Sequence, residues 1–212
     1  MKTVSNVKPA GYVVENLNDG WCNILFAINI VAREVTDEGE KKPHQEFSYD
    51  LYTLHTAYSD SLEIRVGRNY EAWLALAMED EHNTAVSKKV AEVREACEKA
   101  IVAGVDVTTA YGNEHFSLET HDQQNLSTIK MMVAMGATAY PYHADGKACV
   151  LYSAEDLNNI VETATYHVAW HTTYCNMLRV WIGRETDTDV INGIYYGIAL
   201  PEDLAAKMNE LV

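Results

Sequence analysis

Basic residues are scarce in this sequence. Its 212 residues include 16 lysines and arginines against 31 aspartates and glutamates, which gives a formal net charge of −15. Because DNA, RNA and anionic lipid surfaces attract positive charge, nucleic-acid or membrane binding is not expected to be the main function of so acidic a chain. We expect no nucleic acid and no membrane among its partners.

Cysteine pairs are missing as well. The four cysteines are spread along the chain: Cys22, Cys97, Cys149 and Cys175. None belongs to a CxxC pair, so the spacing is unlike that of a zinc finger or a disulfide-rich scaffold. Buried free thiols in a reducing compartment are the expectation.

Long apolar runs and nucleotide-binding motifs are also absent. The longest apolar run, Ile24 to Ala32, is interrupted by Asn29 and is too short to span a bilayer. Neither GxxxxGK[S/T] nor GxGxxG occurs, which leaves ATP and dinucleotide chemistry without support. We therefore expect no cofactor, and a protein that folds in the cytoplasm where it is made.

The first 68 residues have the pattern of a small antiparallel β unit. An Asn-Asp-Gly turn signal at residues 18–20 separates two β-branched runs and predicts a hairpin. A charged stretch at residues 37–42 predicts an exposed loop. Further strands are predicted at residues 47–54 and, from alternation of apolar and polar residues, at residues 62–66.

A long connecting helix is predicted over residues 69–104, with Asn69 as its N-cap and Gly104 as its stop. Within it, small apolar residues recur at steps of four and three and so share one face. These residues are Val86, Val90, Val93, Cys97 and Ala100. Such a seam is typical of a coiled coil between copies or of a helix docked on its own domain, and the spacing leaves both open.

The remaining residues, 105–212, predict a mainly helical C-terminal module. Alternation within residues 105–118 predicts a β-hairpin. Capping signals open helices at Thr120 and at Ser153. The predicted fold class is therefore α+β, with a small antiparallel N-terminal β unit, a long connecting helix, and a mainly helical C-terminal module that contains the hairpin.

Three side chains that can bind a metal recur every four residues: His167, His171 and Cys175. They share one helix face, so a structural metal site, completed by His143 and Cys149, is one hypothesis. A Cys175 nucleophile with His171 as its general base is another. No HExxH word or cysteine-enzyme signature occurs, and both residue types are common at half-buried positions. We therefore expect a packed helix, with no metal and no catalytic residue.

Several short sequence motifs, in a fixed order along residues 91–212, carry a family resemblance. They include Asp106-Val107-Thr108, His115-Phe116-Ser117-Leu118, Tyr140-Pro141-Tyr142-His143-Ala144-Asp145-Gly146, Tyr152-Ser153-Ala154, His171-Thr172-Thr173-Tyr174-Cys175-Asn176 and Ile194-Tyr195-Tyr196-Gly197. This stretch resembles a bacteriophage and prophage family known only as domain of unknown function 4376. Its members look like C-terminal modules encoded near tail and tail-fibre genes. The resemblance implies a tail-associated, virion or assembly role, and supplies no catalytic residues.

Five residues within these short sequences are candidates for a binding or structural motif: Tyr142, His143, His171, Tyr174 and Asn176. The helical period spreads the last three over adjoining faces of one helix. With bulky apolar residues around them, they are expected to be buried hydrogen-bonding partners that fix the helix against the loop at residues 140–146. A surface role is the hypothesis for Tyr142.

Three functional hypotheses follow. The first is a non-enzymatic bacteriophage protein, tail- or virion-associated, that acts as a structural or assembly adaptor through contacts with other phage proteins and forms a homo-oligomer. It would be made in the host cytoplasm and then enter the virion. The first alternative is a small-ligand or host-factor binder that counters host defence, because an acidic surface can mimic nucleic acid toward a basic host protein. The second alternative is a metal- or cysteine-dependent enzyme.

Overall fold

The computed structural model describes residues 2–36 and 42–212, and the chain divides into two compact units. Unit 1 is Met1–Ala85 and unit 2 is Val86–Val212. The boundary falls inside the long connecting helix, whose residues are therefore shared between the units. The predicted charged loop lies outside the described residues, except for Lys42.

Unit 1 contains a four-stranded antiparallel sheet. Its strands are β1 (Lys2–Ser5), β2 (Tyr12–Asn16), β3 (Trp21–Val35) and β4 (His44–Ala57), in the order β1-β4-β3-β2. The long hairpin β3–β4 forms its centre, and its register shifts at a bulge between Ile28 and Val31. Strand β2 flanks β3 only along residues 22–26, and β1 flanks β4 only along residues 47–50.

One face of this sheet carries the core of unit 1. Cys22, Ile24 and Phe26 alternate along β3 and are fully buried, because helix α1 (Leu62–Arg68) and the start of helix α2 (Tyr70–Val102) cover them. The buried cluster is Cys22, Ile24, Phe26, Leu62, Val66, Leu74 and Ala77. The predicted hairpin after residue 12 and the strand at residues 47–54 are confirmed.

The strand predicted at residues 62–66 is wrong, because this segment is part of helix α1. Leu62 and Val66 are both fully buried, whereas Ile64 between them is 58% exposed. A strand would place all three side chains on one face, while a helix places residues four apart together and the middle one opposite. The first and last residues of a five-residue run share a face in a strand and in a helix alike. Such a short run therefore does not distinguish the two, and this segment is helical.

Unit 2 combines two hairpins with four further helices. Its elements are β5 (Val105–Thr109), β6 (Gly112–Phe116), α3 (Thr120–Ala134), β7 (Ala139–Tyr142), β8 (Val150–Ser153), α4 (Ala154–Arg184), α5 (Thr188–Gly193) and α6 (Glu202–Asn209). Strands β5 and β6 form the predicted hairpin. The mixed α+β fold class is thus confirmed. The β7–β8 hairpin, which the sequence pattern indicated only as a loop, is an additional element.

The core of unit 2 lies between the two hairpins and helices α3 and α4. Phe116 and Tyr152 come from different hairpins and are almost fully buried, in edge-to-face contact at 6.1 Å between ring centroids. Leu126 and Ile129 of α3 and Leu157 of α4 join the same cluster. The hairpins and helices therefore share one continuous core.

The seam of α2 packs against α4 within unit 2. The Cys97 thiol donates a hydrogen bond to the carbonyl oxygen of His171 at 3.3 Å, and the Cys175 thiol donates to the carbonyl oxygen of Val93 at 3.8 Å. His167 Nε2 donates to the carbonyl oxygen of Ala100 at 2.9 Å. The docked-helix interpretation therefore applies to this part of the seam. Val86 and Val90, nearer the unit boundary, are half-buried.

No helix among the described residues is long and apolar enough to cross a membrane.

Candidate functional site

The segment His171–Asn176 lies in the middle of α4 and presents different residues to different surroundings. Tyr174 and Cys175 are buried, and His171 is half-buried beside them. Thr172 and Thr173 line a groove next to α3. Asn176 is exposed. The prediction that Asn176 is a buried hydrogen-bonding partner is therefore wrong.

His171, Tyr174 and Tyr196 form a hydrogen-bonded group with the loop before α6, which we call the His171 cluster. His171 Nδ1 is 2.7 Å from the Tyr196 hydroxyl. The Tyr174 hydroxyl donates to the carbonyl oxygen of Ile198 at 2.5 Å and accepts from the Gly197 amide at 3.0 Å. The cluster thus fixes α4 against residues 196–198. The expected partner, the loop at residues 140–146, is not the one used.

Burial controls the protonation of the His171 cluster. Burial, followed by the charge of nearby His167, lowers the pKa of His171, so the neutral ring is favoured. Burial also raises the pKa of the Tyr196 hydroxyl. A neutral imidazole beside a neutral phenol forms a hydrogen bond that requires no ionised group. The arrangement is suited to holding the helix in place.

The candidate metal ligands are only partly brought together. The ring centroids of His167 and His171 lie 4.3 Å apart. His167 Nε2, however, donates a hydrogen bond to the carbonyl oxygen of Ala100 and so is not free to bind a metal. The other two proposed ligands, His143 and Cys149, are exposed. Within residues 2–36 and 42–212, no group of three or more histidine, cysteine, aspartate or glutamate side chains is placed to hold a metal ion.

Cys175 lacks the surroundings of an activated nucleophile. Burial raises its pKa to about 11, and the adjacent Cys97 thiol adds to this effect. Arg179 and Arg94 act in the opposite direction but do not overcome it. Since the thiolate is the reactive form, Cys175 is a protonated, packed thiol at neutral pH.

Tyr142 is a core residue, so the surface role predicted for it is wrong. It is only 9% exposed, and its ring stacks on Phe116 with centroids 6.0 Å apart. Burial raises the pKa of its hydroxyl to about 12, with Asp122 and Asp145 adding to the shift. Its neighbour His143, the residue directly after β7, is exposed.

A buried carboxylate was missed by sequence reasoning. Glu114 Oε2 accepts hydrogen bonds from the hydroxyls of Thr109 at 2.6 Å and Tyr152 at 2.9 Å, and Oε1 accepts from Lys147 Nζ at 2.9 Å. Burial opposes ionisation, but these three donors outweigh it and lower the pKa of Glu114. We call these four residues the Glu114 network. The sequence did contain a signal for it: Glu114 and Phe116 are two residues apart in one strand, so their side chains point to the same face, and Phe116 is buried.

The Glu114 network and its surroundings explain several of the family motifs in structural terms. Asp145 Oδ1 accepts hydrogen bonds from the amide and the hydroxyl of Ser117, at 3.2 and 3.1 Å. Together with the Lys147–Glu114 pair, this contact ties the motif at residues 115–118 to the segment after β7. The residues of these sequence motifs pack and form hydrogen bonds between the two hairpins.

A groove of about 550 Å³ lies between α3 and α4, on the side of α4 occupied by Thr172 and Thr173. Its floor includes the buried Leu126, Val161 and Ala164. Lys130 stands on the α3 side. We call this the α3–α4 groove. Sequence reasoning did not identify it, because it depends on how two helices pack.

Comparison with known proteins identifies the family to which the sequence of unit 2 is similar. Residues 84–194, a little over half of the chain, match the sequence profile of the domain of unknown function DUF4376. The chain belongs to the DUF4376 family. No curated protein and no solved structure matches the sequence. In this DUF4376 member the matched region spans the second half of α2 through α5, and so contains the Glu114 network and the α3–α4 groove.

Replacing His171 with alanine is expected to destabilise the DUF4376 region by roughly 1–3 kcal/mol, because the Tyr196 hydroxyl would lose its partner in a half-buried position. The matched control is Asn176→Ala on the same helix. Asn176 is exposed, so its replacement should change stability by no more than about 0.5 kcal/mol. Urea denaturation monitored by circular dichroism measures both. Equal midpoints for the two variants would contradict this assignment.

The lowered pKa of His171 predicts a stability change with pH. The unfolded chain binds a proton at the ordinary histidine pKa of about 6.5, whereas the folded chain resists protonation until lower pH. The stabilisation is therefore present above that value and is lost as pH falls through the folded pKa. Thermal unfolding between neutral and mildly acidic pH should show a steeper decline for the parent than for His171→Gln. His115, whose pKa is raised by hydrogen bonding to Asp106, is common to both proteins and cancels in the comparison. Parallel curves would refute the prediction.

Proposed function

We propose that this DUF4376 protein is a non-enzymatic bacteriophage protein, tail- or virion-associated, that works as a structural or assembly adaptor through protein–protein contacts. Unit 1 is the attachment part and unit 2 is the module for assembly or partner binding. The protein is made in the host cytoplasm and then enters the virion. Self-association belongs to the same proposal, with the aromatic-rich half of the chain as its surface, since much of the α2 seam is used inside unit 2.

The observation that carries the proposal is the apolar surface of unit 1. Large apolar side chains stand exposed on or beside its strands, among them Val7 at 75%, Val31 at 60%, Val4 at 54%, Trp21 at 48% and Val13 at 46%. The strand register places Trp21 and Val13 on the face of the sheet opposite the core, and Val4 and Val31 on the other face. Exposed apolar side chains on one face can serve a protein contact, and tryptophan is enriched at the energetic centres of protein interfaces. They support a protein partner for unit 1.

Open strand edges add to this support. Because β2 ends its pairing with β3 at residue 26, the same edge of β3 has no neighbouring strand from residue 28 to residue 35 among the described residues. An open edge presents unpaired backbone donors and acceptors, which a strand of another protein can satisfy. Backbone pairing and apolar contact would then act together.

The bacteriophage setting is supported by the resemblance of the family motifs to phage and prophage proteins. A second candidate, a binder of a basic host factor that counters host defence, is favoured by the formal net charge of −15. The two functions predict different partners. A tail or assembly protein binds phage structural proteins, while an antagonist binds a host protein and is absent from particles.

Affinity capture from infected cells tests the attachment surface. The tagged full chain should retain a phage structural protein, and Trp21→Ser should reduce the amount retained by roughly tenfold or more, as expected when an aromatic anchor is removed. Met135→Ser, which changes an apolar side chain 77% exposed on unit 2, is the control and should leave capture unchanged. Equal capture by parent and Trp21→Ser would remove unit 1 as the attachment surface.

A further inference from the structure

The α3–α4 groove differs in charge from the rest of the chain. Its twelve lining residues include one lysine, Lys130, and neither an aspartate nor a glutamate. The whole sequence, in contrast, has 31 acidic residues against 16 basic ones. An anionic group inside the groove therefore meets one positive charge and no carboxylate among the residues that line it. A cation there would have no carboxylate to pair with among the lining residues.

The polar groups of the groove are available to a ligand. Within the part of the chain that the structure describes, neither Lys130 Nζ nor the hydroxyls of Thr165, Thr172 and Thr173 have a hydrogen bond or ion pair with another protein group. A hydroxyl can donate to an anion, and an ammonium group adds charge to its hydrogen bonds. Four donors thus border the groove.

The floor of the groove is apolar and its size suits a small molecule. Leu126, Val161 and Ala164 are buried side chains of the unit 2 core that also line the groove. The volume of about 550 Å³ is within the range of small-molecule sites, which combine an apolar lining with a few placed polar groups. A ligand whose apolar part contacts these buried side chains would place its polar group near the threonine hydroxyls and Lys130.

We propose that the α3–α4 groove binds a small amphipathic monoanion, whose apolar body contacts Leu126, Val161 and Ala164 and whose anionic head pairs with Lys130. The threonine hydroxyls of α4 donate hydrogen bonds to the same head. Thr172 and Thr173 belong to the motif at residues 171–176, so this motif supplies one wall of the site as well as the α4 residues of the His171 cluster. The site lies within unit 2 and does not depend on the attachment surface of unit 1.

Two probes of similar size and opposite charge test the chemistry. Naphthoate is an aromatic carboxylate, and naphthylmethylammonium is a cation with the same ring system. The net charge of −15 favours the cation at any unspecific site. Saturable binding of naphthoate to the full chain at one site, tighter than binding of the cation, is the expected calorimetric result. Preference for the cation would overturn the proposal.

Variants locate the binding. Lys130→Met should weaken naphthoate binding roughly threefold to tenfold, since it removes an exposed ion pair with the ligand while keeping an unbranched side chain. Ala169→Trp places a large ring at the groove and should abolish it. Lys207→Met, a change of the same kind on α6 away from the groove, should bind as the parent does.

The unaltered protein provides a readout that does not depend on how the variants fold. In its methyl NMR spectrum, naphthoate should shift the threonine resonances at residues 165, 172 and 173. An apolar side chain of a partner protein is the competing occupant, and it would leave the groove without measurable affinity for either probe. That outcome, or naphthoate binding unchanged by Ala169→Trp, would overturn the small-molecule assignment.

Discussion

Replacing Gly104 with alanine is expected to destabilise unit 2 by roughly 3 kcal/mol or more. Gly104 links α2 to β5 with φ of +79°, a conformation that costs a residue with a side chain free energy. An alanine Cβ would also lie 2.7 Å from Ser117 Cα and 2.8 Å from the carbonyl carbon of Phe116. These are backbone atoms at the end of β6, so no side-chain rotation can relieve the overlap.

Gly136→Ala separates the two contributions to that cost. Gly136 has a similar φ of +98° after α3, but a Cβ built there has no neighbour within 4 Å. It should cost only the conformational part, about 1 kcal/mol. Urea denaturation of both variants, followed by far-UV circular dichroism, gives the difference. Equal losses would mean that β6 does not hold the chain against Gly104 as described.

Replacing Glu114 with alanine is expected to cost roughly 3 kcal/mol, because the buried hydroxyls of Thr109 and Tyr152 would each lose their acceptor. The side chain is itself almost fully buried, so the change also leaves a cavity. Tyr152→Phe removes one of the same hydrogen bonds and should cost less, on the order of 1 kcal/mol.

Glu162→Ala is the control for the Glu114 network. It makes the same chemical change at an exposed position of α4, where no such network exists, and should alter stability by no more than about 0.5 kcal/mol. Chemical denaturation under identical conditions compares the three variants. A Glu114→Ala midpoint equal to that of Glu162→Ala would show that the network contributes nothing to unit 2.

The sequence predicted those elements that had both a turn or capping signal and a clear apolar periodicity. The turn residues at 18–20 and the alternation on both sides of them specified the β2–β3 hairpin of unit 1. Residues 62–66 failed because a five-residue run with apolar ends four apart satisfies a helix as well as a strand. Strand β7 was missed because it is four residues long and contains Pro141, a residue that argues against strands.

The candidate site was less predictable, because its partners are distant in sequence. His171 meets Tyr196, 25 residues away, and nothing local marks that contact. The error at Asn176 was avoidable, since five helical residues turn the chain about 140° from His171 and away from the same neighbours. The α3–α4 groove could not be inferred at all, as it follows from the packing of two helices whose individual patterns show only buried faces.

Under the proposed phage origin, mass spectrometry of purified particles of the encoding phage is the most direct test of the proposed function. The proposal predicts peptides from both units at a fixed ratio to a tail protein, unchanged by further purification of the particles. A chain abundant in infected cells but absent from particles would contradict a virion role, and would favour the antagonist that binds a host factor.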